Sequence, residues 1–270
     1  IGLCPQSRSV TQMYVDEILK NYNELGTKII ETIYTDGYLS IGGKASTTEL
    51  AEFANVTSSS RILDIGSGVG GPARHLAATF GCQVTGIDLV EANVEDANQR
   101  AKAEGVELLA TFMAGDALNL PFEDQTFDIV WGQDAWCHIP DKEQLITQAH
   151  RVLVPGGCVA FTDWVEIGPM SADERKTLLS AMAAPNTASI DDYRRYLSLN
   201  GFSITTEANV SEIFTSQYRE IMMGLEDARS AFIERYSAKI YKIVAERNAI
   251  ILDGFARHAL GGVRFVARKD

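Results

Sequence analysis

The chain begins with apolar residues that recur every three or four positions. Within residues 10–34 this spacing predicts one or two amphipathic helices, because a helix repeats every 3.6 residues. The apolar positions are Ile18, Leu25, Ile29, Ile30 and Ile33. A helical pattern resumes over residues 48–53 and stops at the hydroxyl residues 57–60. Residues 1–56 are therefore predicted to form a helical lead-in.

From residue 61 onward, short apolar runs alternate with amphipathic helical patterns. Such runs suit strands buried on both faces, and the helical patterns suit crossovers between parallel strands. The predicted strands cover residues 61–65, 83–87, 107–114, 127–131 and 158–163, and the predicted helices cover 73–79, 92–104 and 142–153. Five parallel strands with crossover helices predict an α/β fold with a doubly wound sheet, whose ligand crevice lies at the carboxyl ends of its strands.

The alternation ends after Trp164. Predicted helices over 172–183 and 190–199 are followed by a strand over 202–206, a long helical stretch over 212–258 and a last strand over 263–267. We therefore predict one domain over residues 57–270, with a helical insertion at about 165–200 and a long helix at about 212–258.

The composition is that of an ordinary globular protein. The chain has 270 residues, of which 46% are hydrophobic and 22% are charged, and its mean hydropathy is −0.04. These values exclude disordered, fibrous and membrane classes, and no apolar run approaches the roughly 20 residues that span a bilayer. The formal net charge of −12 disfavours nucleic acid and anionic lipid as partners, because both are negatively charged.

Four cysteines lie far apart along the chain: Cys4, Cys82, Cys137 and Cys158. No two of them have Cys-x-x-Cys spacing, so we predict neither a metal site nor a disulfide framework. A reduced, cytoplasmic protein is the expectation from this composition. The first residue is Ile1 rather than Met, so a targeting segment removed from the chain would escape this prediction.

A glycine-rich loop separates the first predicted strand from the first predicted helix of the sheet. It reads Leu-Asp-Ile-Gly-Ser-Gly-Val-Gly-Gly over residues 63–71. Glycines let the backbone pass close to a ligand and present helix N-terminal amides to it. Gly66, Gly68 and Gly71 match a dinucleotide fingerprint, and Asp88 follows about 20 residues later, where an acid holds ribose hydroxyls. A nicotinamide dinucleotide and S-adenosylmethionine both remain possible ligands here.

Asp64 distinguishes these two ligands. A carboxylate directly before the loop would repel a pyrophosphate, whereas S-adenosylmethionine has no phosphate and carries an α-ammonium and a sulfonium. Asp116 follows the third predicted strand, where a carboxylate can accept a hydrogen bond from an adenine amino group. Each acid alone would also serve as a helix cap or turn residue. An acid at the end of each of three successive strands favours the methyl donor.

These features resemble the class I S-adenosylmethionine-dependent methyltransferases over residues 61–164. The matching motifs are Asp-Ile-Gly-Ser-Gly-Val-Gly-Gly at 64–71, Gly-Ile-Asp at 86–88, Gly-Asp-Ala at 115–117, the stretch 120–128 and Leu-Val-Pro-Gly-Gly at 153–157. The resemblance implies a seven-stranded, mostly parallel Rossmann-like sheet with an antiparallel last strand at 263–267. It implies that the methyl donor is bound by Ser40, Asp64, Gly66, Gly68, Asp88, Leu89, Asp116, Ala117 and Gln133.

A narrower resemblance precedes this core. The run Ile-Glu-Thr-Ile-Tyr-Thr-Asp-Gly-Tyr-Leu-Ser-Ile-Gly-Gly at 30–43 looks like the lid of the small-amine N-methyltransferases that act on phosphoethanolamine or on sarcosine and dimethylglycine. It implies that residues 1–56 form a lid. In the phosphobase enzymes a lid tyrosine and a histidine after the fourth strand form a catalytic pair, which the resemblance places at Tyr22 and His138.

Such a pair suits the methylation of an amine. An alkylammonium with a pKa of about 10.4 has no lone pair at neutral pH, so its proton must leave before nitrogen attacks the methyl carbon. A histidine hydrogen-bonded to a tyrosine provides that route. The alternative interpretations are that His138 caps the helix that follows it and that Tyr22 packs an ordinary helix.

Beyond residue 164 the chain departs from the phosphobase enzymes. Ala-Ala-Pro at 183–185 stands where those enzymes carry an arginine and a tyrosine for the substrate phosphate. This departure disfavours phosphoethanolamine and favours sarcosine or dimethylglycine, on the way to glycine betaine. One arginine or backbone amides would hold the carboxylate of such an acceptor. The candidates are Arg194, Arg195 and Arg219, although each lies on a predicted amphipathic helix, where an arginine ordinarily belongs to the solvated face.

The remaining residues expected to bind the small-molecule amine are Tyr38, Asp134, Trp136 and Trp164. An aromatic wall suits a methylated ammonium, whereas Trp131, within the fourth predicted strand, is predicted to lie in the core. A methyltransferase acting on a tocopherol-like or sterol-like carbon is an alternative. An NAD-dependent oxidoreductase and a non-catalytic S-adenosylmethionine-binding protein are alternatives from other classes. The sequence predicts no oligomeric state.

Overall fold

A seven-stranded sheet lies at the centre of the computed structural model, which describes residues 16, 18–35 and 37–270. Its strands are β1 (Arg61–Ile65), β2 (Gln83–Asp88), β3 (Ala110–Ala114), β4 (Phe127–Gln133), β5 (Leu153–Glu166), β6 (Phe202–Asn209) and β7 (Leu260–Lys269). Their order is β3-β2-β1-β4-β5-β7-β6, and β7 runs antiparallel to both neighbours. The predicted doubly wound sheet is confirmed. Its strand order reverses between β1 and β4, which places the ligand crevice at the carboxyl ends of these strands.

Helices cover both faces of the sheet. They are α1 (Glu24–Ile33), α2 (Gly43–Phe53), α3 (Gly71–Phe80), α4 (Glu91–Ala103), α5 (Lys142–Val152), α6 (Ala172–Met182), α7 (Ile190–Leu199), α8 (Ser211–Asp227), α9 (Arg229–Arg235) and α10 (Ala238–Ala256). Adjacent strand residues point to opposite faces. Ile62 packs in the core beneath α2, α3 and α4, whereas Leu63 packs in the core beneath α5 and α7.

Only β1 has its predicted bounds, and the departures of β5 and β3 follow from local features. β5 starts at Leu153 and continues through the turn predicted at 155–157. Leu153 pairs with Phe127, and the register then shifts before Cys158 pairs with Ile129, so a bulge takes up the extra residues. β3 starts only at Ala110, because turns occupy residues 107–109.

The helical stretch predicted over 212–258 is divided into α8, α9 and α10. The second break lies at Ser237, which has a φ of 133° and whose Oγ accepts the amide of Ile240 at the start of α10. Apolar side chains of these three helices cluster with Ile33 of α1. The cluster attaches the N-terminal helices to the C-terminal ones.

The described part of the predicted lid contains α1, α2 and the segment 37–41 between them. Residues 1–15, 17 and 36, which include Cys4 and the start of the first predicted helix, lie outside the described residues. The division into a lid and a main domain stays a prediction. The three described cysteines are buried and unpaired.

No helix within the described ranges is long and apolar enough to cross a membrane. In that same part of the chain, no group of three or more histidine, cysteine or acidic side chains is placed to hold a metal ion.

Two glycines test the packing of α8 on the sheet. A Cβ at Gly262 of β7 would lie 2.5 Å from a ring carbon of the buried Phe214, whereas a Cβ at Gly224 in α8 meets no described atom within 4 Å. Because overpacking forces buried groups apart, we expect Gly262→Ala to lower the free energy of unfolding by about 1–3 kcal/mol. Gly224→Ala should raise it by up to about 1 kcal/mol, since alanine favours the helix. Urea denaturation measures both, and equal effects of the two substitutions would contradict this packing.

Candidate active site

Two cavities meet at the carboxyl ends of β1, β2 and β4. The first has a volume of about 970 Å³ and lies between the glycine loop, the residues that follow β2 and β3, and residues 39–40 of the lid. All nine residues that the resemblance implied for the methyl donor line this first cavity: Ser40, Asp64, Gly66, Gly68, Asp88, Leu89, Asp116, Ala117 and Gln133.

The glycine loop is hydrogen-bonded to Asp88 at the end of β2. The Gly68 amide donates to Oδ2 of Asp88 at 2.8 Å, and the Val90 amide donates to Oδ1 at 2.9 Å. Burial raises the pKa of this carboxyl, and the two amides act in the opposite direction. Each carboxylate oxygen has a further lone pair, so Asp88 can also accept hydrogen bonds from ribose hydroxyls.

The lid backbone lies directly on the glycine loop. A Cβ at Gly71 would lie 2.1 Å from the carbonyl oxygen of Gly37, and a Cβ at Gly68 would lie 2.8 Å from Cδ1 of Leu39. Gly68 also has a φ of +53°, in the left-handed region that favours glycine. Leu39 and Ser40 line the first cavity beside this contact.

Four buried polar side chains that line the first cavity have an atom without a hydrogen-bond partner. These atoms are Ser40 Oγ, Asp64 Oδ2, Ser67 Oγ and Gln133 Nε2. A buried polar atom without a partner is costly, and its presence at a cavity indicates a bound ligand that satisfies it. The first cavity is therefore built to hydrogen-bond a polar molecule.

The chemistry of these groups fits S-adenosylmethionine. Burial, followed by the nearby charge of Asp88, raises the pKa of Asp64 to about 8, and no group of the described residues donates a hydrogen bond to its Oδ2. An α-ammonium would supply one, whereas a pyrophosphate would add repulsion. Asp116 lies at the exposed rim, where Oδ1 accepts the Leu118 amide at 2.9 Å, and the acid can also face an adenine ring.

Tyr22 and His138, which are 116 residues apart, meet at the boundary of the two cavities. The Tyr22 hydroxyl lies 2.8 Å from Nε2 of His138, and both residues line both cavities. Nδ1 of His138 lies 3.2 Å from the carbonyl oxygen of Ala183. Since a carbonyl only accepts, Nδ1 carries the hydrogen, Nε2 is the acceptor and the tyrosine hydroxyl is the donor.

Both members of the pair are neutral at physiological pH. Burial lowers the pKa of His138 to about 4, and the positive charges of Lys142 and Arg247 act in the same direction. Burial also raises the pKa of Tyr22 well above its ordinary range. The imidazole is therefore free to accept a proton, and the phenol retains its own.

Asp134 joins the lid to the sheet at the same boundary. Its Oδ2 accepts the Ile41 amide of the lid at 2.8 Å, and its Oδ1 accepts the Thr162 hydroxyl of β5 at 2.6 Å. Burial raises the pKa of Asp134 to about 7 despite these bonds. Asp134 lines both cavities, so its carboxyl is placed to face a cationic acceptor.

The second cavity has a volume of about 1200 Å³ and lies between α1 and α10. Among the expected substrate-binding residues, Asp134 and Trp164 line it. Trp136 was expected to bind the acceptor, but its ring is fully buried in the core, stacked on Phe161 at 4.3 Å between centroids. Tyr38 does not line the first or the second cavity, because it is buried against the glycine loop beside Gly71.

The candidate arginines for a substrate carboxylate lie outside both cavities, as a solvated helix face implies. Arg194 pairs with Asp191 and Glu207, and Arg195 pairs with Asp192. The exposed Arg219 does not line either cavity.

Arg247 of α10, which sequence reasoning missed, lines the second cavity. The sequence pattern that could have indicated it is an arginine at helical spacing from apolar residues. Those residues, Ile240, Val244 and Ile251, line the same cavity.

Lys142 is a second residue that sequence reasoning missed. Its buried ammonium donates to the carbonyl of Ile139 at 2.8 Å, to that of Cys137 at 3.3 Å and to that of Asn186 at 3.1 Å. The first two carbonyls flank His138. Lys142 therefore positions the turn that carries the histidine, against the segment that contains Ala183.

The sequence of this chain is similar to those of known methyltransferases. A family model described as a methyltransferase domain matches residues 63–161. The glycine/sarcosine/dimethylglycine N-methyltransferase of Actinopolyspora halophila is 31% identical over 209 residues, which are 76% of this chain and 36% of that protein. The 27-O-demethylrifamycin SV methyltransferase of Amycolatopsis mediterranei is 30% identical over 226 residues, which are 83% of this chain and 82% of that protein.

A solved structure is similar over nearly the whole chain. It is phosphoethanolamine N-methyltransferase 2 of Haemonchus contortus in complex with S-adenosyl-L-methionine, with a TM-score of 0.89 and 26% sequence identity over 99% of this chain and 61% of that one. This chain thus spans little more than a third of the Actinopolyspora protein and about three fifths of the Haemonchus protein.

Asp88→Ala tests the first cavity. The substitution removes an acceptor for ribose hydroxyls, and hydrogen bonds to a charged group contribute about 1.5–3 kcal/mol. We expect the dissociation constant of S-adenosylhomocysteine to rise about 10- to 150-fold in calorimetry. Glu107→Ala, which removes an exposed carboxylate outside the cavity, is the control. An unchanged affinity in Asp88→Ala would contradict the assignment.

Asp64 should make the stability of the ligand-free protein depend on pH. Its pKa of about 8 in the folded state exceeds the ordinary 3.8, so its contribution is fully present below about pH 4 and is lost as pH rises through about 8. The free energy of unfolding should therefore fall more steeply with pH in the natural protein than in Asp64→Asn. Saturating S-adenosylhomocysteine should reduce the difference, since its ammonium stabilises the ionised carboxylate. Parallel curves in urea denaturation would contradict this role.

Proposed function

This chain belongs to the class I S-adenosylmethionine-dependent methyltransferases, and we propose that it transfers the methyl group to the nitrogen of an amine. The observation that carries the proposal is the hydrogen bond between Tyr22 and His138 at the boundary of the two cavities. An ammonium must lose a proton before it can be methylated, and this pair offers the proton a route away from the nitrogen. The tocopherol-like and sterol-like carbon acceptors have no such ammonium proton.

The pair acts by accepting one proton in two short transfers. S-adenosylmethionine, when bound in the first cavity, supplies an electrophilic methyl group on a sulfonium sulfur. Tyr22 donates its hydrogen to His138, so the lone pairs of its oxygen are free to accept the N–H of the ammonium. As that proton moves to Tyr22, the phenolic proton moves to Nε2 of His138, and the nitrogen lone pair becomes available.

The surroundings lower the pKa of both proton carriers. Burial holds the pKa of the imidazole at about 4, and burial of an ammonium beside a sulfonium lowers the pKa of the amine in the same way. The lowered pKa of the amine makes the transfer less uphill, whereas the lowered pKa of the imidazole makes it more uphill. Asp134 stabilises the bound cation, which raises the pKa of the amine again but favours binding of the acceptor.

Sarcosine and dimethylglycine are the first candidate acceptors. The segment at 183–185 supplies the carbonyl that orients His138, and it carries no cationic side chain for a phosphate. The cationic side chains among the described residues that line the second cavity are those of Arg247 and the exposed Lys20. One arginine suits a single carboxylate. The Actinopolyspora relative is named for glycine, sarcosine and dimethylglycine, which supports the same substrate class.

A panel of acceptors tests the reaction. The protein is incubated with methyl-labelled S-adenosylmethionine and, separately, glycine, sarcosine, dimethylglycine, phosphoethanolamine and γ-tocopherol, and the labelled product is identified. We expect label on the nitrogen of sarcosine or dimethylglycine. Label on a tocopherol carbon, or binding of the methyl donor without transfer to any amine, would overturn the proposal.

His138→Ala tests the proton route. Loss of general base catalysis should lower kcat by about 10²- to 10⁴-fold, with the affinity for S-adenosylhomocysteine nearly unchanged, since the lost interaction acts mainly in the transition state. The activity of the variant should then rise about tenfold per pH unit towards the pKa of the amine, about 10, because the free base no longer needs the pair.

His150→Ala is the matched control, since His150 packs on Phe202 and does not line either cavity. It should retain kcat and show no such rise with pH. A loss in His138→Ala that stays constant from neutral to alkaline pH would assign His138 to packing instead of proton transfer.

A further inference from the structure

We propose that the acceptor is an amine that carries both an anionic group and an apolar substituent, with the anion at Arg247 and the substituent against an aliphatic wall of the second cavity. The aliphatic wall consists of Leu25, Ile29 and Ile33 of α1 and Ile240, Ile243 and Val244 of α10. This inference rests on the proposed N-methylation and specifies its substrate class.

The aliphatic wall is larger and more apolar than a short amino acid requires. Its residues run along α1 from Leu25 to Ile33 and along α10 from Ile240 to Val244. Two residues of the wall are largely open to solvent: Leu25 is 51% exposed and Ile243 is 54% exposed. Sarcosine, which has no side chain, would leave these two side chains in water. An apolar substituent would cover them.

Arg247 supplies a positive charge beside the aliphatic wall. Its Nη1 donates to Oδ1 of Asn21 at 3.1 Å, and its Nε donates to the carbonyl of Ala181. No carboxylate of the described residues forms an ion pair with it. Five N–H donors on one guanidinium leave further donors for a ligand, and a half-buried guanidinium without a carboxylate suits an anion.

The polar groups of the second cavity are arranged in a definite order. Asp134 and the Tyr22–His138 pair lie at the boundary with the first cavity, where the amine must be. Arg247 and the aliphatic wall lie on the side of α1 and α10. An ammonium, an anion and an apolar group on one molecule would each meet a complementary surface.

A homologous series measures the effect of the apolar substituent. The amines are sarcosine, N-methylalanine, N-methylnorvaline and N-methylnorleucine, which differ only in the length of the side chain. Burial of each methylene should raise kcat/KM about fourfold. Ile243→Ser should reduce this gain. Ile213→Ser is the matched control, because Ile213 is 48% exposed on α8 and does not line the second cavity.

The anionic group is tested by comparing N-methylnorleucine with N-methylpentylamine, which lacks the carboxylate. The natural protein should prefer the acid by about 10- to 150-fold in kcat/KM. Arg247→Gln should abolish this preference, mainly through KM. Arg194→Gln, which alters an arginine outside the cavities, should retain it. A preference that survives in Arg247→Gln would overturn the assignment of the anion.

A binding experiment separates this inference from the proposed function. Calorimetry measures the affinity of the protein saturated with S-adenosylhomocysteine for butanoate, hexanoate and octanoate, none of which can be methylated on nitrogen. Affinity that rises with chain length supports the inference even if no amine is methylated, an outcome that would overturn only the proposed function. If sarcosine is methylated at a kcat/KM that the longer amines do not exceed, and alkanoate affinity is independent of length, the inference is overturned and N-methylation stands.

Discussion

Direct contact between the lid backbone and the glycine loop is the constraint on which the rest of the site depends. The carbonyl of Gly37 occupies the space where a side chain at position 71 would lie. This contact holds residues 37–41 over the carboxyl ends of the strands, and the Ile41 amide is then bonded to Asp134. The lid helix α1 follows from the same placement and forms one wall of the second cavity. Leu39 of the same segment lines both cavities.

Burial also determines the electrostatics of the site. Burial raises the pKa of Asp64 to about 8 and that of Asp134 to about 7, so each carboxyl gains from a positive ligand. Burial lowers the pKa of His138 to about 4, which keeps the imidazole neutral and able to accept a proton. Removal from water thus raises the pKa of both carboxyls, which favours a bound cation, and lowers the pKa of the imidazole, which stays unprotonated.

The fold and the first cavity could be predicted from the sequence to a large extent. β1 has the predicted bounds, and the other strands differ mainly at their ends. Gly66, Gly68, Asp64 and Asp88 line the first cavity because they lie at the carboxyl ends of adjacent parallel strands, a position that chain order alone implies. The substrate side was predicted less well. Trp136 was expected in a pocket and lies in the core, since a residue after a strand end can turn either way.

What the sequence by itself determined is local: the periodicity of the helices and strands, the glycine-rich loop and the acids at successive strand ends. These features depend on near neighbours along the chain. Only the tertiary structure decided that Tyr22 bonds to His138 across 116 residues, a pairing that the residues signalled only through resemblance to a family. It alone placed Arg247 beside the aliphatic wall. The lining of a cavity between α1 and α10 depends on how two distant segments pack, and no periodic pattern in either segment specifies the face that the other presents.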